Sequence, residues 1–198
     1  MWLQLKKENF LIILLTFLLY SQVFCAENIA TRRKINLFDL CGVTVKMNSK
    51  LYLINYPEYT LPDEKLYSKD ILTEYKKIPY HQKIPFIGCG DFDGNKRTDI
   101  AAILEKRNKK GTLIVFHQLE GYKYKIFVLE DEIEFIYNLF IIILPAHTII
   151  EGWGDPAIPE SNGIITLQTD GIEFGEFKAW SVLYYWNGNN YKKLVTSD

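Results

Sequence analysis

The hydrophobic positions in the second half of the chain fall into short runs and not into long helical stripes. The runs are rich in aromatic and β-branched residues, and polar or glycine-containing turns separate them. Runs of this kind predict strands. The predicted strands are Ile100–Leu104, Thr112–Gln118, Tyr122–Leu129, Phe140–Leu144, Ile164–Gln168, Ala179–Trp186 and Tyr191–Val195. The pattern therefore predicts an α+β domain that is mainly β, an antiparallel meander of hairpins with at most one or two short helices.

Several of these runs also indicate which strands pair. An Asn-Gly dipeptide at 187–188 lies between two alternating strands, which is a strong signal for a tight hairpin turn. Residues 119–121 separate another pair of runs and predict a second hairpin. The continuous apolar run Phe140–Leu144 predicts a strand that is buried on both faces. We expect Thr148–Ile150 to continue that strand after Pro145.

The stretch before residue 100 is less regular. Val43–Asn55 has the composition of strand material, and four prolines between residues 57 and 85 predict loops. Between the prolines, the segment Ser68–Lys77 predicts one short helix with Ser68 as its N-cap. Its apolar side chains fall on one face at helical spacing, and they are Ile71, Leu72 and Tyr75.

Residues 1–25 have the three-part layout of an export signal. Lys6 and Lys7 provide the positive flank, the apolar run Phe10–Tyr20 follows, and a more polar stretch ends at Cys25. The run has roughly 11 residues, whereas a transmembrane helix needs about 20. We therefore expect cleavage after Cys25 and a secreted or periplasmic protein. Two other interpretations stay open: an uncleaved N-terminal anchor and a lipid carried by Cys25.

The expected organisation is a signal peptide at 1–25 and a single β-rich domain at 26–198, which has 198 − 25 = 173 residues. That length suits one domain with its own core. The net charge of −1 becomes −2 when two Lys and one Glu leave with the signal. This balance excludes the nucleic-acid-binding class, and no apolar run of the mature chain is long enough to span a membrane. The expected partner is a protein or a glycan.

The mature chain keeps two cysteines, Cys41 and Cys89. In an oxidising compartment two thiols can pair, so they are a candidate disulfide. A bridge between them would close a loop of roughly 48 residues and would add a few kcal/mol of stability. Two separately buried thiols are the alternative, because a free cysteine packs as a small hydrophobic residue.

A short acidic loop from residue 91 to residue 99 carries the sharpest chemical signal in the chain. It places side-chain oxygens at positions 1, 3, 5 and 9, on Asp91, Asp93, Asn95 and Asp99. Alternate side chains of a tight turn point inward, so these oxygens converge, and the backbone carbonyl of Arg97 at position 7 can add another. Hard oxygen ligands of this kind favour Ca²⁺ over softer metals. Three carboxylates packed so closely also repel one another unless a cation neutralises them.

The segment Phe86–Leu104 resembles the short calcium loop of the FG-GAP and VCBS-type repeats. The resemblance is carried by Gly-Asp-Phe-Asp-Gly-Asn at 90–95 and Thr-Asp-Ile-Ala-Ala-Ile at 98–103. It implies propeller-blade-like strand pairs and a Ca²⁺ held by four side chains and one carbonyl, from Asp91, Asp93, Asn95, Asp99 and Arg97. The motif occurs once, whereas a propeller needs several blades of about 40 residues. One position departs from the family: the turn at position 6 favours glycine, and this chain has Lys96 there.

The acidic loop also has an interpretation without a metal. Asp and Asn side chains in a tight turn can accept hydrogen bonds from nearby backbone N–H groups, and such a turn needs no ion. If Ca²⁺ binds, its role is expected to be structural or to support binding. Extracellular modules often hold calcium with a dissociation constant of roughly 10⁻⁴ to 10⁻³ M.

No catalytic motif accompanies the loop, so we expect a protein that is not an enzyme. The three histidines, His81, His117 and His147, form no metal-type pair and are expected in ordinary surface or core positions. One alternative is an extracellular hydrolase that uses the loop carboxylates Glu151, Asp155 and Glu160. Another is a secreted inhibitor or adhesin that uses the aromatic hairpin at 180–191 as its contact surface, although core packing is the usual role of such aromatics.

Overall fold

The computed structural model describes Cys41 and residues 59–80, 82, 84–120, 123–152 and 163–197. The expected signal peptide at 1–25, the expected strand Val43–Asn55 and most of the Gly/Pro-rich loop after Gly152 lie outside these residues. Within the described ranges, no helix is long and apolar enough to cross a membrane.

The predicted helix is present as α1, Lys69–Tyr75. It begins where predicted, because the Ser68 hydroxyl accepts a hydrogen bond from the Ile71 N–H at 3.1 Å and so acts as the N-cap. Tyr75 is buried, and its hydroxyl donates to the carbonyl of Ile141 at 2.9 Å. The helix is thereby attached to a strand that lies far along the chain. Two 3-10 helices, Glu64–Leu66 and Ile136–Asn138, complete the described helical segments.

Among the described residues, the first large sheet contains five antiparallel strands. They are β1 (Tyr59–Thr60), β2 (Ile87–Gly90), β3 (Asp99–Lys106), β4 (Gly111–Gln118) and β5 (Tyr124–Ile133). Their order is β1-β3-β4-β5, and β2 pairs with β3 on the same side as β1. The predicted hairpin between the fourth and fifth strands is confirmed. Strand β3 extends beyond its predicted end at Leu104, because Glu105 and Lys106 also belong to it.

In the described ranges, the second large sheet has four antiparallel strands. They are β6 (Leu139–Leu144), β9 (Gly171–Glu176), β10 (Trp180–Trp186) and β11 (Tyr191–Ser197). Their order is β11-β10-β9-β6. All six residues of β6 are buried, as the continuous apolar run predicted. The Asn-Gly turn joins β10 and β11 into the expected hairpin.

The prediction that Thr148–Ile150 continues β6 is wrong. The chain turns after Pro145, where the Thr148 N–H donates to the Pro145 carbonyl at 3.2 Å. The next strand, β7 (Ile149–Glu151), then pairs with β8 (Ile164–Thr166) in a separate two-stranded sheet. A proline followed by a turn ends the ladder, because the proline has no N–H to donate to it.

Strand β9 was not predicted, because two glycines and two glutamates interrupt its apolar pattern. Tertiary contacts explain the second glycine. A Cβ on Gly175 would lie 2.3 Å from the carbonyl oxygen of Trp180 in the neighbouring strand. The close approach of the two backbones therefore requires a residue without a side chain.

Two buried clusters hold the strands together. The first core draws side chains from both large sheets and includes Phe92, Ile100, Ile103, Val115, Ile141, Phe174 and Tyr184. The second core draws on α1 and on the other face of the second sheet, and its members are Tyr75, Phe140, Ile142, Leu144, Leu167, Leu183 and Leu194. Alternation along β10 sends Val182 and Tyr184 to the first core and Leu183 to the second.

Candidate metal centre

The acidic loop is the connection of the β2–β3 hairpin. Gly90 and Asp99 are paired across the two strands, so residues 91–98 form the turn, and Asp99 is the first residue of β3. Phe92 is fully buried in the first core and anchors the loop from inside. The pairing of β2 with β3 and the buried Phe92 ring thus position the side chains of the loop.

Two residues of the loop have a left-handed backbone. The φ angle is 79° at Gly94 and 64° at Lys96. The turn at Lys96 therefore has the positive φ that favours glycine at position 6 of the FG-GAP and VCBS-type loops, which this segment resembles. This backbone conformation costs a residue with a Cβ on the order of 1 kcal/mol. The loop therefore holds Lys96 in a strained conformation at position 6.

The two carboxylate oxygens of Asp91 lie in different environments. The Oδ2 atom accepts a hydrogen bond from the Lys96 N–H at 2.9 Å. The Oδ1 atom is buried and has no hydrogen-bond partner in the part of the chain that the structure describes. A buried carboxylate oxygen without a partner costs free energy that a cation would recover. This oxygen belongs to the residue at position 1 of the predicted ligand set.

Asp93 and Asn95 stabilise the turn through their side chains. The Asp93 Oδ1 atom accepts from the Asn95 N–H at 3.0 Å, and the Asn95 Oδ1 atom accepts from the Arg97 N–H at 2.8 Å. The Asn95 amide also donates to Asp93 Oδ2 at 3.0 Å and to the Gln118 carbonyl at 2.9 Å. These bonds are those expected of a polar turn without a metal. They leave further lone pairs on the same oxygens, so they do not prevent coordination.

Asp99 is fully buried at the beginning of β3. Its Oδ2 accepts from the Phe92 N–H at 2.9 Å and its Oδ1 from the Gln118 N–H at 2.7 Å. Burial raises the pKa of Asp99 to about 7; the two hydrogen bonds oppose that rise, and the charges of Asp93 and Asp91 add to it. A carboxylate in this position needs either a proton or a cation near neutral pH.

His117, near the end of β4, joins this group. Its side chain is buried, and its Nδ1 lies 3.5 Å from Asp93 Oδ2. One ligand atom from each of Asp93, Asp99 and His117 lies within 4.8 Å of the other two. Burial lowers the pKa of His117 more than the neighbouring carboxylates raise it, which favours the neutral imidazole.

The expectation of an ordinary position for His117 missed this contact, although hairpin register could have indicated it. Ile100 of β3 pairs with Phe116 of β4, so the residue after Phe116 lies beside the residue before Ile100. That residue is Asp99. The signal was therefore the pairing of two predicted strands and not any local motif.

The other face of His117 contacts the C-terminal hairpin. The distance from His117 Nε2 to the Tyr191 hydroxyl is 2.6 Å. Tyr191 packs edge-to-face against Phe127 and Trp186, with ring centroids 5.6 and 5.2 Å away. Burial and the charges of Asp99 and Asp93 raise the pKa of Tyr191, so its hydroxyl keeps its proton.

Asp170, which precedes β9, ties the loop to the second sheet. Its Oδ2 accepts from the Asp91 N–H at 2.9 Å, and its Oδ1 accepts from the Ala146 N–H at 3.0 Å. The Asp170 N–H donates to the Asp91 carbonyl at 3.1 Å, and the Thr169 hydroxyl donates to the Phe92 carbonyl at 2.8 Å. Sequence reasoning gave Asp170 no role, since nothing local marks an aspartate that acts on a loop 79 residues away.

The two positive residues of the loop do not neutralise its carboxylates with their side chains. Lys96 is exposed. The Arg97 guanidinium lies 3.3 Å from Glu120. The Arg97 carbonyl remains a predicted ligand.

The predicted cysteine pair lies beside the loop. Cys41 and Cys89 are joined by a disulfide with their Cα atoms 5.8 Å apart. Cys89 belongs to β2, two residues before Asp91. The bridge therefore attaches a distant part of the chain to the strand that leads into the loop.

The residues of the two alternative sites are differently placed. Glu151 is exposed on β7, while Asp155 and Glu160 lie outside the described residues. In the aromatic hairpin, Val182 and Tyr184 are buried, and Trp180 and Tyr191 pack against the first core. Most apolar side chains of the hairpin therefore pack in the protein interior.

Comparisons of the chain with protein-family models, with curated proteins and with solved structures find no match. The likeness to FG-GAP and VCBS-type loops thus rests on residues 86–104 alone. What the centre can do follows from its donor set: buried carboxylate oxygens, an amide oxygen and one imidazole nitrogen. Such groups hold a divalent cation.

Proposed function

We propose that this chain is an exported β-rich domain whose loop at 91–99 binds Ca²⁺ and thereby fastens its two large sheets together. The domain acts as a structural or binding module for a protein or glycan partner and performs no catalysis. The proposal rests above all on Asp91 Oδ1, a buried oxygen that has no hydrogen-bond partner among the described residues. The export part rests on the layout of residues 1–25.

The donor set fits calcium. Asp91, Asp93 and Asp99 offer hard, negatively charged oxygens, and Asn95 offers a neutral one. The other oxygen of Asp91 is held by the Lys96 N–H, which orients the carboxylate. The bound ion would relieve the repulsion among the three carboxylates of this turn, of which Asp99 is fully buried.

The structural role follows from what the loop touches. The backbone of Asp91 exchanges hydrogen bonds with Asp170 at the start of the second sheet, while Asp99 begins β3 in the first. An ion held by both Asp91 and Asp99 therefore stiffens a loop that bridges the sheets. An exported protein meets enough calcium to fill a site with a dissociation constant of roughly 10⁻⁴ to 10⁻³ M.

Thermal unfolding of the mature protein in Ca²⁺, in Mg²⁺ and in chelator tests the calcium site. At a calcium concentration of about 100 times the dissociation constant, binding adds about 2.7 kcal/mol, which is roughly 5–11 °C in Tm for a domain of this size. Mg²⁺ should give a much smaller shift, because it demands a tighter octahedral shell. Equal Tm values in calcium and chelator would refute the proposal.

Matched variants assign the effect to the loop. Asp91→Asn keeps the shape of the side chain and removes the charge, so the calcium-dependent rise in Tm should fall sharply. The double variant Asp93→Ala/Asp99→Ala should abolish the rise. Asp70→Asn, at an exposed position of α1, is the control and should respond to calcium like the wild type.

The intact mass of protein recovered from outside the cytoplasm tests the export proposal. A mass that lacks residues 1–25 supports cleavage after Cys25. A full-length mass supports the uncleaved anchor instead, and an added acyl mass on a chain that begins at Cys25 supports the lipid.

A further inference from the structure

We propose that the inner side of the acidic loop is also a site for a late first-row transition ion such as Zn²⁺ or Co²⁺, bound by Asp93, Asp99 and His117. The inference uses the same loop as the proposed calcium site, but it does not require that calcium be its natural ion. It adds a nitrogen ligand that sequence reasoning did not assign.

The geometry of the three residues suits a small ion. Zinc lies roughly 2.0–2.2 Å from nitrogen and oxygen ligands in a tetrahedral shell, so two ligand atoms on one ion are about 3.3–3.6 Å apart. The distance from His117 Nδ1 to Asp93 Oδ2 is 3.5 Å, and the three ligand atoms lie within 4.8 Å of one another. The ligand atoms would need to approach one another by at most about 1.5 Å to share one ion.

The second nitrogen of His117 has a partner that favours coordination through Nδ1. A metal on Nδ1 requires the ring proton on Nε2, and the Tyr191 hydroxyl lies 2.6 Å from that atom. Histidine ligands commonly donate their other N–H to such a partner, which fixes the tautomer and the ring orientation. The rings of Phe127 and Trp186 enclose the imidazole at centroid distances of 4.7 and 5.1 Å, so the ring is already oriented.

Burial separates this group from an ordinary acidic surface cluster. Asp99 is 0% exposed and His117 is 2% exposed. Asp93 and Asp99 already accept backbone hydrogen bonds that orient their carboxylates, from the N–H groups of Asn95, Phe92 and Gln118. The ligand side chains therefore lose little conformational entropy when an ion binds.

The imidazole also distinguishes the two ions chemically. Carboxylate and carbonyl oxygens suit Ca²⁺, whereas an imidazole nitrogen suits zinc, cobalt, nickel and copper. Asp93 and Asp99 serve in both ligand sets, so the two ions compete for the loop. Loss of His117 should weaken the binding of the transition ion and leave the binding of calcium almost unaffected.

The test is a Co²⁺ titration of the full chain, followed through the visible absorption of the ion, in matched His→Asn variants. His117→Asn should lose more than about 100-fold in affinity, a larger effect than the loss of an outer partner. His147→Asn, at an exposed turn, should bind like the wild type. Equal affinity and an unchanged spectrum in His117→Asn would overturn the proposal.

Two further variants keep the test decisive if His117→Asn folds poorly. In the double variant His81→Asn/His147→Asn, His117 is the sole remaining histidine of the three. Pulsed EPR of Cu²⁺ bound to it should detect an imidazole nitrogen, and its absence would contradict the proposal. Tyr191→Phe should keep that nitrogen signal while weakening Co²⁺ binding by roughly 10-fold.

The calcium and cobalt results can fail separately. A His117→Asn protein that still gains thermal stability in Ca²⁺ but loses Co²⁺ supports both proposals. If cobalt binding depends on His117 but calcium has no effect on stability, the calcium proposal is wrong and the transition-ion proposal stands. If the protein responds to calcium and binds cobalt equally well with and without His117, only the transition-ion proposal is wrong.

Discussion

The carboxylate of Asp170 accepts a hydrogen bond from the backbone N–H of Asp91 at 2.9 Å, across 79 residues of sequence. Its other oxygen accepts from the Ala146 N–H at 3.0 Å. One side chain thus fastens the acidic loop to the chain segments that enter and leave the second sheet. It also holds the backbone of the first predicted calcium ligand in place.

Replacing Asp170 should therefore weaken both the fold and the loop. Asp170→Ala leaves two partly buried N–H groups without their acceptor, which should cost roughly 2–4 kcal/mol in the free energy of unfolding. Chemical denaturation in chelator measures this loss apart from any ion. Asp70→Ala, on the exposed face of α1, should change the stability far less, and a similar loss in both variants would contradict the role of Asp170.

The disulfide between Cys41 and Cys89 should contribute strongly to stability. The bridge spans 48 residues of sequence. Closing a loop of this size lowers the entropy of the unfolded chain, which is worth about 4 kcal/mol in the chain-entropy model. Thermal unfolding with and without reductant measures the effect.

The double variant Cys41→Ala/Cys89→Ala is the control for reduction. Its Tm should match that of the reduced wild type and should not respond to reductant. A wild-type Tm that reductant leaves unchanged would argue against the bridge.

Glu173 should make stability depend on pH. It is half-buried on β9, and burial raises its pKa despite hydrogen bonds from the Ser181 and Thr196 hydroxyls. Its folded pKa is above its unfolded value, so the folded state favours the protonated form. The stability linked to this group is therefore greatest below the unfolded pKa and declines as pH rises toward the folded pKa.

The variant Glu173→Gln removes that dependence. Its Tm should exceed the wild-type Tm at pH 7 and approach it at pH 4, because the wild-type side chain is then largely protonated. Glu176→Gln, on the same strand, is the matched control. The prediction fails if Glu173→Gln lowers the Tm more at pH 7 than at pH 4.

Gly175 should tolerate no larger residue. A Cβ at this position would lie 2.3 Å from the Trp180 carbonyl oxygen and 2.8 Å from the Ser181 Cα, both of which are backbone atoms. Gly175→Ala should therefore force β9 and β10 apart and cost roughly 1–3 kcal/mol. Equilibrium urea unfolding provides the measurement.

Gly188 is the contrasting position. It has a φ of 94°, and a Cβ there would meet nothing within 4 Å. Gly188→Asn should be nearly neutral, because asparagine tolerates a left-handed backbone in a turn. If the two glycine variants lose equal stability, the steric explanation for Gly175 is incorrect.

Local patterns along the chain were sufficient to predict much of the fold. The apolar runs predicted both hairpins and the buried strand β6, and Ser68 predicted the beginning of α1. These features depend on side-chain alternation, turn chemistry and capping, which act over a few residues. Strand β9 was missed because its glycines serve contacts with a neighbouring strand.

The sequence alone determined the acidic loop. The spacing from Asp91 to Asp99 predicted a tight polar turn, because turn geometry is a local property of the backbone. Of the predicted ligands, Asp93 and Asp99 lie in one cluster with His117. Tertiary structure alone decided that His117 and Asp170 belong to it, since strand register and sheet packing bring together residues that are distant in sequence. It also determined which Asp91 oxygen is buried without a hydrogen-bond partner in the described ranges, because burial depends on the whole fold.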